Sequence, residues 1–271
     1  MGTELCHLLD ERGIEYVACG SKELDITNRA QVQAKFTELK PEAVFHCAAY
    51  TAVDKAEDEA KDLNWQVNEQ GTKNIANAAQ QFGATLIYIS TDYVFDGTSE
   101  GEYQVAAPTN PKNEYRKAKL AGEEAVKSIM DKYYIIRTSW VFGEYRKNFV
   151  YTMLRLAKTH DHLTVVDDQV GRPTWTRTLA KFMLYAIDHQ IPYGTYQLSN
   201  DDSCTWYEFA REILKNENVE VSPVTSAEYP QKAYRPRHSI MSLNKVKATG
   251  FEVPTWQEAL GRFMDEVGED K

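Results

Sequence analysis

Short apolar runs and amphipathic helical segments alternate along most of this chain, and that alternation restricts the fold more than any other feature. Residues 43–47 (AVFHC), the run 86–89 (LIYI), 133–138 (YYIIRT) and 194–198 (GTYQL) read as brief strands, as do 15–19 (EYVAC) and 163–166. Between them lie segments with apolar residues at helical spacing. Leu5, Leu8 and Leu9 mark residues 3–12; Val32, Phe36 and Leu39 follow a capping Asn28; further helices are expected over about 62–81, from Tyr115 to about 130, over 148–158 and over 176–189. Strands that alternate with helices build βαβ units, so the expected class is α/β, a doubly wound parallel sheet with helices on both faces. The texture changes near residue 216. Pro223, Pro230, Pro236 and Pro254 lie among polar loops, and a last helix is expected over 256–267, which points to a smaller and less regular C-terminal lobe.

Composition narrows the function classes. The net charge is −9 with no long basic run, which argues against a nucleic-acid partner. Cys6, Cys19, Cys47 and Cys204 form no CxxC pair, so a reducing compartment fits better than a disulfide scaffold. No stretch approaches the roughly 18 apolar residues of a membrane span, and the first residues lack the apolar core of a signal peptide. A cytoplasmic chain with no membrane partner is expected.

The most reactive stretch runs from Ile89 to Lys119. The apolar run ends in Ser90-Thr91-Asp92, which puts two hydroxyls and a carboxylate where a buried strand emerges. Tyr115 and Lys119 follow at a separation of four in a segment of good helix formers, so they share a helix face. A phenol beside a cation ionises more easily, as a tyrosine general acid/base requires near neutrality. Alone, such a pair is more often ordinary helix surface.

The surrounding motifs are STDYVFDG (90–97), the YxxxK of Tyr115 and Lys119, IIRTSWVFG (135–143), DDQVGRPTW (167–175), GTYQLSN (194–200) and HCAAYTAVDKAE (46–57). In this order the chain resembles the dTDP-4-dehydrorhamnose reductase family of the extended short-chain dehydrogenase/reductase superfamily, over nearly its whole length. The resemblance implies a Rossmann-like cofactor-binding part from 1–143, about 147–166 and 176–199, interleaved with a smaller substrate-binding lobe from about 167–175 and 200–271. It implies reduction of the 4-keto group of a dTDP-4-dehydro-6-deoxy sugar with NADPH, NADH being compatible. Tyr115 would then donate the proton. Lys119 would hold the nicotinamide ribose and depress the Tyr115 pKa, Thr91 would polarise the carbonyl, and Asp92 would contact the sugar. Tyr93 and Trp140 match the family's aromatic substrate contacts, and Asn148 and Arg172 match its nucleotide end; Arg235 and Arg237 are further candidates. A core aromatic is the alternative for Trp140, and a turn cap for Asp92.

For the cofactor, the resemblance implies Asp25 and Ile26 at the adenine, Ala48, Ala49 and Tyr50 beneath the dinucleotide, and Ile89 near the nicotinamide. No carboxylate follows 15–19. Lys22 there can pair with a 2′-phosphate, which favours NADPH, or can simply be solvated. Relative to the family pattern the chain starts at what looks like the last glycine of a GxxGxxG loop, Gly2, and the expectation is a shortened chain rather than a variant with weak cofactor binding. Arg116 departs from the glycine common after the family's tyrosine. No carboxylate stands in 174–178 where some members hold magnesium, so no metal is expected; a homodimer is compatible. Competing readings are another nucleotide-sugar epimerase or reductase, or a non-catalytic nucleotide-binding regulatory subunit.

Overall fold

The computed structural model describes residues 1–230 and 232–269; Gln231 and the last two residues of the expected 200–271 lobe lie outside the described residues. The strands, in chain order, are β1 (Ala43–His46), β2 (Thr85–Thr91), β3 (Tyr133–Thr138), β4 (Val141–Phe142), β5 (His162–Val166), β6 (Val170–Gly171), β7 (Thr174–Trp175), β8 (Gly194–Gln197), β9 (Cys204–Thr205) and β10 (Glu220–Val224). The helices are α1 (Gly2–Glu11), α2 (Arg29–Leu39), α3 (Lys61–Trp65), α4 (Thr72–Phe82), α5 (Glu114–Ile129), α6 (Phe149–Ala157), α7 (Thr176–Asp188), α8 (Trp206–Ile213), α9 (Asn244–Lys247) and α10 (Trp256–Glu269).

Four strands form an all-parallel sheet in the order β1-β2-β3-β8. Its centre is apolar on both faces, as a sheet covered by helices requires. On one face Ile87, Tyr134 and Ile136 pack with Leu5, Leu8 and Leu9 of α1 and with Leu179, Phe182 and Met183 of α7. On the other, Leu86, Tyr88 and Ile135 pack with Val32, Phe36, Ile75, Ala79 and Val126 from α2, α4 and α5. This is the expected doubly wound arrangement.

A second core lies outside the sheet. Val150 and Met153 of α6, Leu163 and Val165 of β5, Phe209 and Ile213 of α8 and Phe263 of α10 pack together. Strand β5 pairs in parallel with β10, not with the main sheet. Residues 147–166, expected with the cofactor-binding part, therefore pack in this second core and not against the main sheet. The alternating exposed and buried pattern of β5 suits a strand with one face in that second core.

Two other expectations change. Residues 15–19 form no strand and are exposed throughout. Among the described residues no strand pairs with the open edge of β1, so this segment has no ladder to join. The helix expected over about 62–81 is interrupted by a π-helical turn at Gln66–Gly71. Gly71 there admits the Ile26 side chain so closely that an added Cβ would lie 2.7 Å from it.

Candidate active site

The C-terminal ends of β1, β2 and β3 open on one side of the sheet, where a doubly wound fold binds its ligands. Thr91 ends β2, paired in register with Thr138 at the end of β3. Its hydroxyl donates to Asp92 Oδ1 at 3.1 Å and accepts from the Tyr93 amide at 3.1 Å. Both Thr91 and Asp92 are buried.

Helix α5 brings Tyr115 and Lys119 to the same place. Asn113 caps it, accepting from the Arg116 amide at 2.9 Å, and the Glu114 amide donates to Glu57 at 2.9 Å. The helix is thus started one residue before Tyr115 and held from the loop after β1. Two turns on, buried Glu123 meets buried Arg137 of β3 through bonds of 2.9 and 2.7 Å. Lys119 Nζ donates to the Ile89 carbonyl at 2.7 Å and lies 4.1 Å from the Tyr88 ring centroid.

The electrostatics depart from expectation at one point. Burial, then the charge of Asp92, push the Tyr115 phenol well above its ordinary value, while Thr91 hydrogen bonding and the Arg116 charge work the other way. Burial lowers the Lys119 pKa to about 7 against the pull of the Glu123 charge. Burial likewise raises Asp92 to about 6, offset by a Ser239 hydrogen bond and the charge of Arg116. Tyr93 is pushed up to about 12, first by burial and then by Asp92.

Thr91, Asp92, Tyr93, Ile89, Tyr115 and Lys119 therefore form one cluster. Ala48 and Ala49 are exposed just past β1. Tyr50 is fixed there by Asn68, which donates to its carbonyl at 3.0 Å and accepts from its amide at 3.1 Å. Gly2 opens α1 beside Cys47, and no side chain caps that helix. Lys22 and Asp25 are exposed. Asp25 closes its own turn on Thr27, and Asn74 holds the Ile26 carbonyl at 2.9 Å.

The expected nucleotide-end residues are more occupied. Asn148 caps α6, accepting from the Tyr151 amide at 3.2 Å and donating to the Gly143 carbonyl at 2.7 Å. Arg172 donates to the Met241 carbonyl and to Glu102, both at 2.7 Å, and leaves Nε buried without a partner among the described residues. Trp140 holds a left-handed backbone (φ 46°) and stacks on Trp206 at 3.7 Å between centroids, packed against Gly171. Such strain in a bulky residue persists only where its surroundings over-determine it, as at ligand sites. Arg235 donates to Asp54 at 3.0 Å, and the Ala233 amide donates to the same carboxylate at 2.9 Å. An open cavity of about 430 Å³ lies alongside, lined by Gly97, Thr98, Tyr234, Arg237 and His238 among others.

Asn68, Asn74, Glu123 and Trp206 were not legible as site residues. Only for Glu123 was a signal present, as the next i, i+4 step beyond Lys119 on the same helix face.

A parallel doubly wound sheet, with a helix-borne tyrosine–lysine pair facing a threonine at a strand end, defines a protein of the short-chain dehydrogenase/reductase class. Residues 1–269 match the RmlD substrate binding domain family. The chain is 40% identical over 269 residues to the dTDP-4-dehydrorhamnose reductase of Streptomyces griseus, covering 96% of this chain and 88% of that one. It is 38% identical over 268 residues to the spore coat polysaccharide biosynthesis protein SpsK of Bacillus subtilis, covering 98% and 94%. The crystal structure of dTDP-4-dehydrorhamnose reductase from Bacillus anthracis in complex with NADP superposes with a TM-score of 0.94 at 43% identity, covering 98% of this chain and 95% of that one. The chain belongs to the RmlD substrate binding domain family.

Proposed function

We propose that this protein is an NADPH-dependent reductase that converts dTDP-4-dehydro-L-rhamnose to dTDP-L-rhamnose, serving L-rhamnose and cell-envelope polysaccharide biosynthesis. The observation that carries the reading is the meeting of Thr91, Tyr115 and Lys119 at the end of β2 in a chain so closely similar to a reductase solved with NADP. NADH is compatible.

The residues present fit a dinucleotide. The uncapped N-terminus of α1 at Gly2 leaves first-turn amides for phosphate, exposed Ala48 and Ala49 leave room past β1, and exposed Lys22 suits a 2′-phosphate. Asp25, Ile26, Tyr50 and Ile89 complete that side. When bound, the cofactor supplies the hydride to carbon 4. The chain's own part is the proton and the oxygen. Negative charge gathers on the ketone oxygen, and the Thr91 and Tyr115 hydroxyls are placed to receive it. Tyr115 is protonated at neutral pH and gives its proton to that oxygen, although burial makes the phenol a weaker acid than a free one. Lys119, fixed on Ile89, orients the ribose side. Asp92 and Tyr93 contact the sugar, Trp140, stacked on Trp206, meets the substrate, and Arg172 lies toward the diphosphate.

Among the described residues no helix is long and apolar enough to cross a membrane. In this reading the enzyme is cytoplasmic, and a homodimer is compatible with it. The reaction is tested by incubating the protein with dTDP-4-dehydro-L-rhamnose and NADPH, then identifying the sugar nucleotide by NMR. The expected product is dTDP-L-rhamnose; a different configuration at carbon 4 contradicts the assignment.

A further inference from the structure

Arg116 follows Tyr115 directly on α5, and no step above uses it. It is completely buried. Its guanidinium carbon lies 4.1 Å from the centroid of the Tyr93 ring and 5.5 Å from that of Tyr234. Nη2 donates to the Tyr234 carbonyl at 3.1 Å, whereas Nε and Nη1 have no hydrogen-bond partner among the described residues. A guanidinium taken out of water without an anion or acceptors is costly, so those free N–H groups call for a ligand.

The chemistry of that ligand follows from what faces it. Asp92 and Arg116 feel each other's charge, yet form no ion pair. Asp92 Oδ2 is itself buried and unpartnered. The cluster thus lacks an acceptor for Arg116 Nε and Nη1 and a donor for Asp92 Oδ2, although Asp92 Oδ1 already accepts from Thr91. A hydroxyl group supplies both at once, since it accepts from an N–H and donates to a carboxylate. A phosphate or carboxylate would satisfy Arg116 but meet Asp92 with like charge, and an apolar group would satisfy neither.

We propose that Arg116 is a substrate-positioning residue that, together with Asp92, grips a non-reacting hydroxyl of the sugar ring and so sets the preference for the sugar over the bare nucleotide. The proposal rests on the reductase reading for the identity of its ligand. Arg116 acts on the hexose and leaves the dTDP moiety to other residues, which separates it from a merely structural role.

The test is calorimetric titration of wild type, Arg116→Met and Arg116→Lys with dTDP-L-rhamnose and, separately, with dTDP. Removing a charged hydrogen-bond donor should weaken dTDP-L-rhamnose about tenfold in Arg116→Met while dTDP stays within about twofold of wild type. Arg116→Lys should recover part of the loss, because it keeps the cation and loses the planar donor fork. In turnover, KM for the keto sugar should rise in Arg116→Met by a larger factor than kcat falls. Equal weakening of both ligands, or no change in either, overturns the proposal. Should Arg116→Met not fold, Arg116→Gln carries the same comparison between ligands. Failure of the reductase reading appears separately, as wild type that binds dTDP-L-rhamnose but oxidises no NADPH on the keto sugar.

Discussion

The ammonium of Lys119 donates at 2.7 Å to the carbonyl of Ile89, which ties α5 to the end of β2 and sets the distance between Tyr115 and Thr91. Burial lowers the Lys119 pKa from 10.5 to about 7, the Glu123 charge opposing. The unfolded chain therefore binds more protons than the native one between these values, and stability rises with pH across that window. The penalty is in full force below about pH 7 and is relieved toward 10.5. Thermal unfolding of wild type and Lys119→Met from pH 6 to 10 should show wild type gaining on the variant as pH rises. Parallel curves would contradict this. Lys119→Met should also lose most of its turnover.

Asp92 behaves in the opposite sense. Its carboxyl is raised by burial from 3.8 to about 6, so between these values the native state holds a proton that the unfolded chain has lost. Stability falls as pH climbs through that interval and levels above it. Asp92→Asn removes the charge and should gain on the order of 2 kcal/mol at pH 7 while losing affinity for the sugar. Urea unfolding at pH 4 and pH 7 checks both the sign and the window; a variant less stable than wild type at pH 7 counts against it.

Glu123 and Arg137 lie two turns beneath the tyrosine, both buried, with bonds of 2.9 and 2.7 Å. Glu123→Gln leaves a buried guanidinium without its counter-charge and should cost about 3–5 kcal/mol, read by denaturant unfolding. Adding Arg137→Met should restore part of that loss, since the orphaned charge goes with it. Additive losses would mean the two residues do not act as a pair.

The smaller lobe reaches back over the site through Asp54. It accepts from the Ala233 amide at 2.9 Å and from Arg235 at 3.0 Å, and Lys232 pairs with Asp58 nearby. Asp54→Ala frees the segment that carries Tyr234 next to Arg116. KM for the keto sugar should rise about fivefold with a smaller change in kcat, the pattern of a loosened closing element. A fall in kcat alone would place Asp54 elsewhere in the cycle.

The parts of the site legible in the sequence were those carried by local spacing. Tyr115 and Lys119 share a helix face because they are four residues apart, and Thr91-Asp92 sits at a strand end because an apolar run stops there. Both relationships reappear in the fold. What escaped depends on contacts between distant segments. The composition of β5 marks it as a strand, but its partner, β10, lies more than fifty residues on, and its own pattern does not name it. Residues 15–19 have a strand's composition and no ladder to join, a fact about neighbours and not about those residues. Asn148 caps its own helix, a use to which an asparagine at a loop–helix junction is as well suited as to the ligand contact that the resemblance implies. In the sequence Arg116 is only a departure from the family pattern; its significance lies in burial and in two nitrogens that nothing in the described chain satisfies.

Single-turnover oxidation of NADPH on dTDP-4-dehydro-L-rhamnose by wild type and by Tyr115→Phe bears most directly on the central claim that Tyr115 is the proton donor of a ketone reductase. Wild type should oxidise NADPH on adding the keto sugar. Tyr115→Phe should do so slower by roughly 10³-fold while binding dTDP-L-rhamnose as wild type does. A Tyr115→Phe variant that retains more than about a tenth of the wild-type rate would contradict the account, because general acid catalysis by this phenol should be worth far more than that.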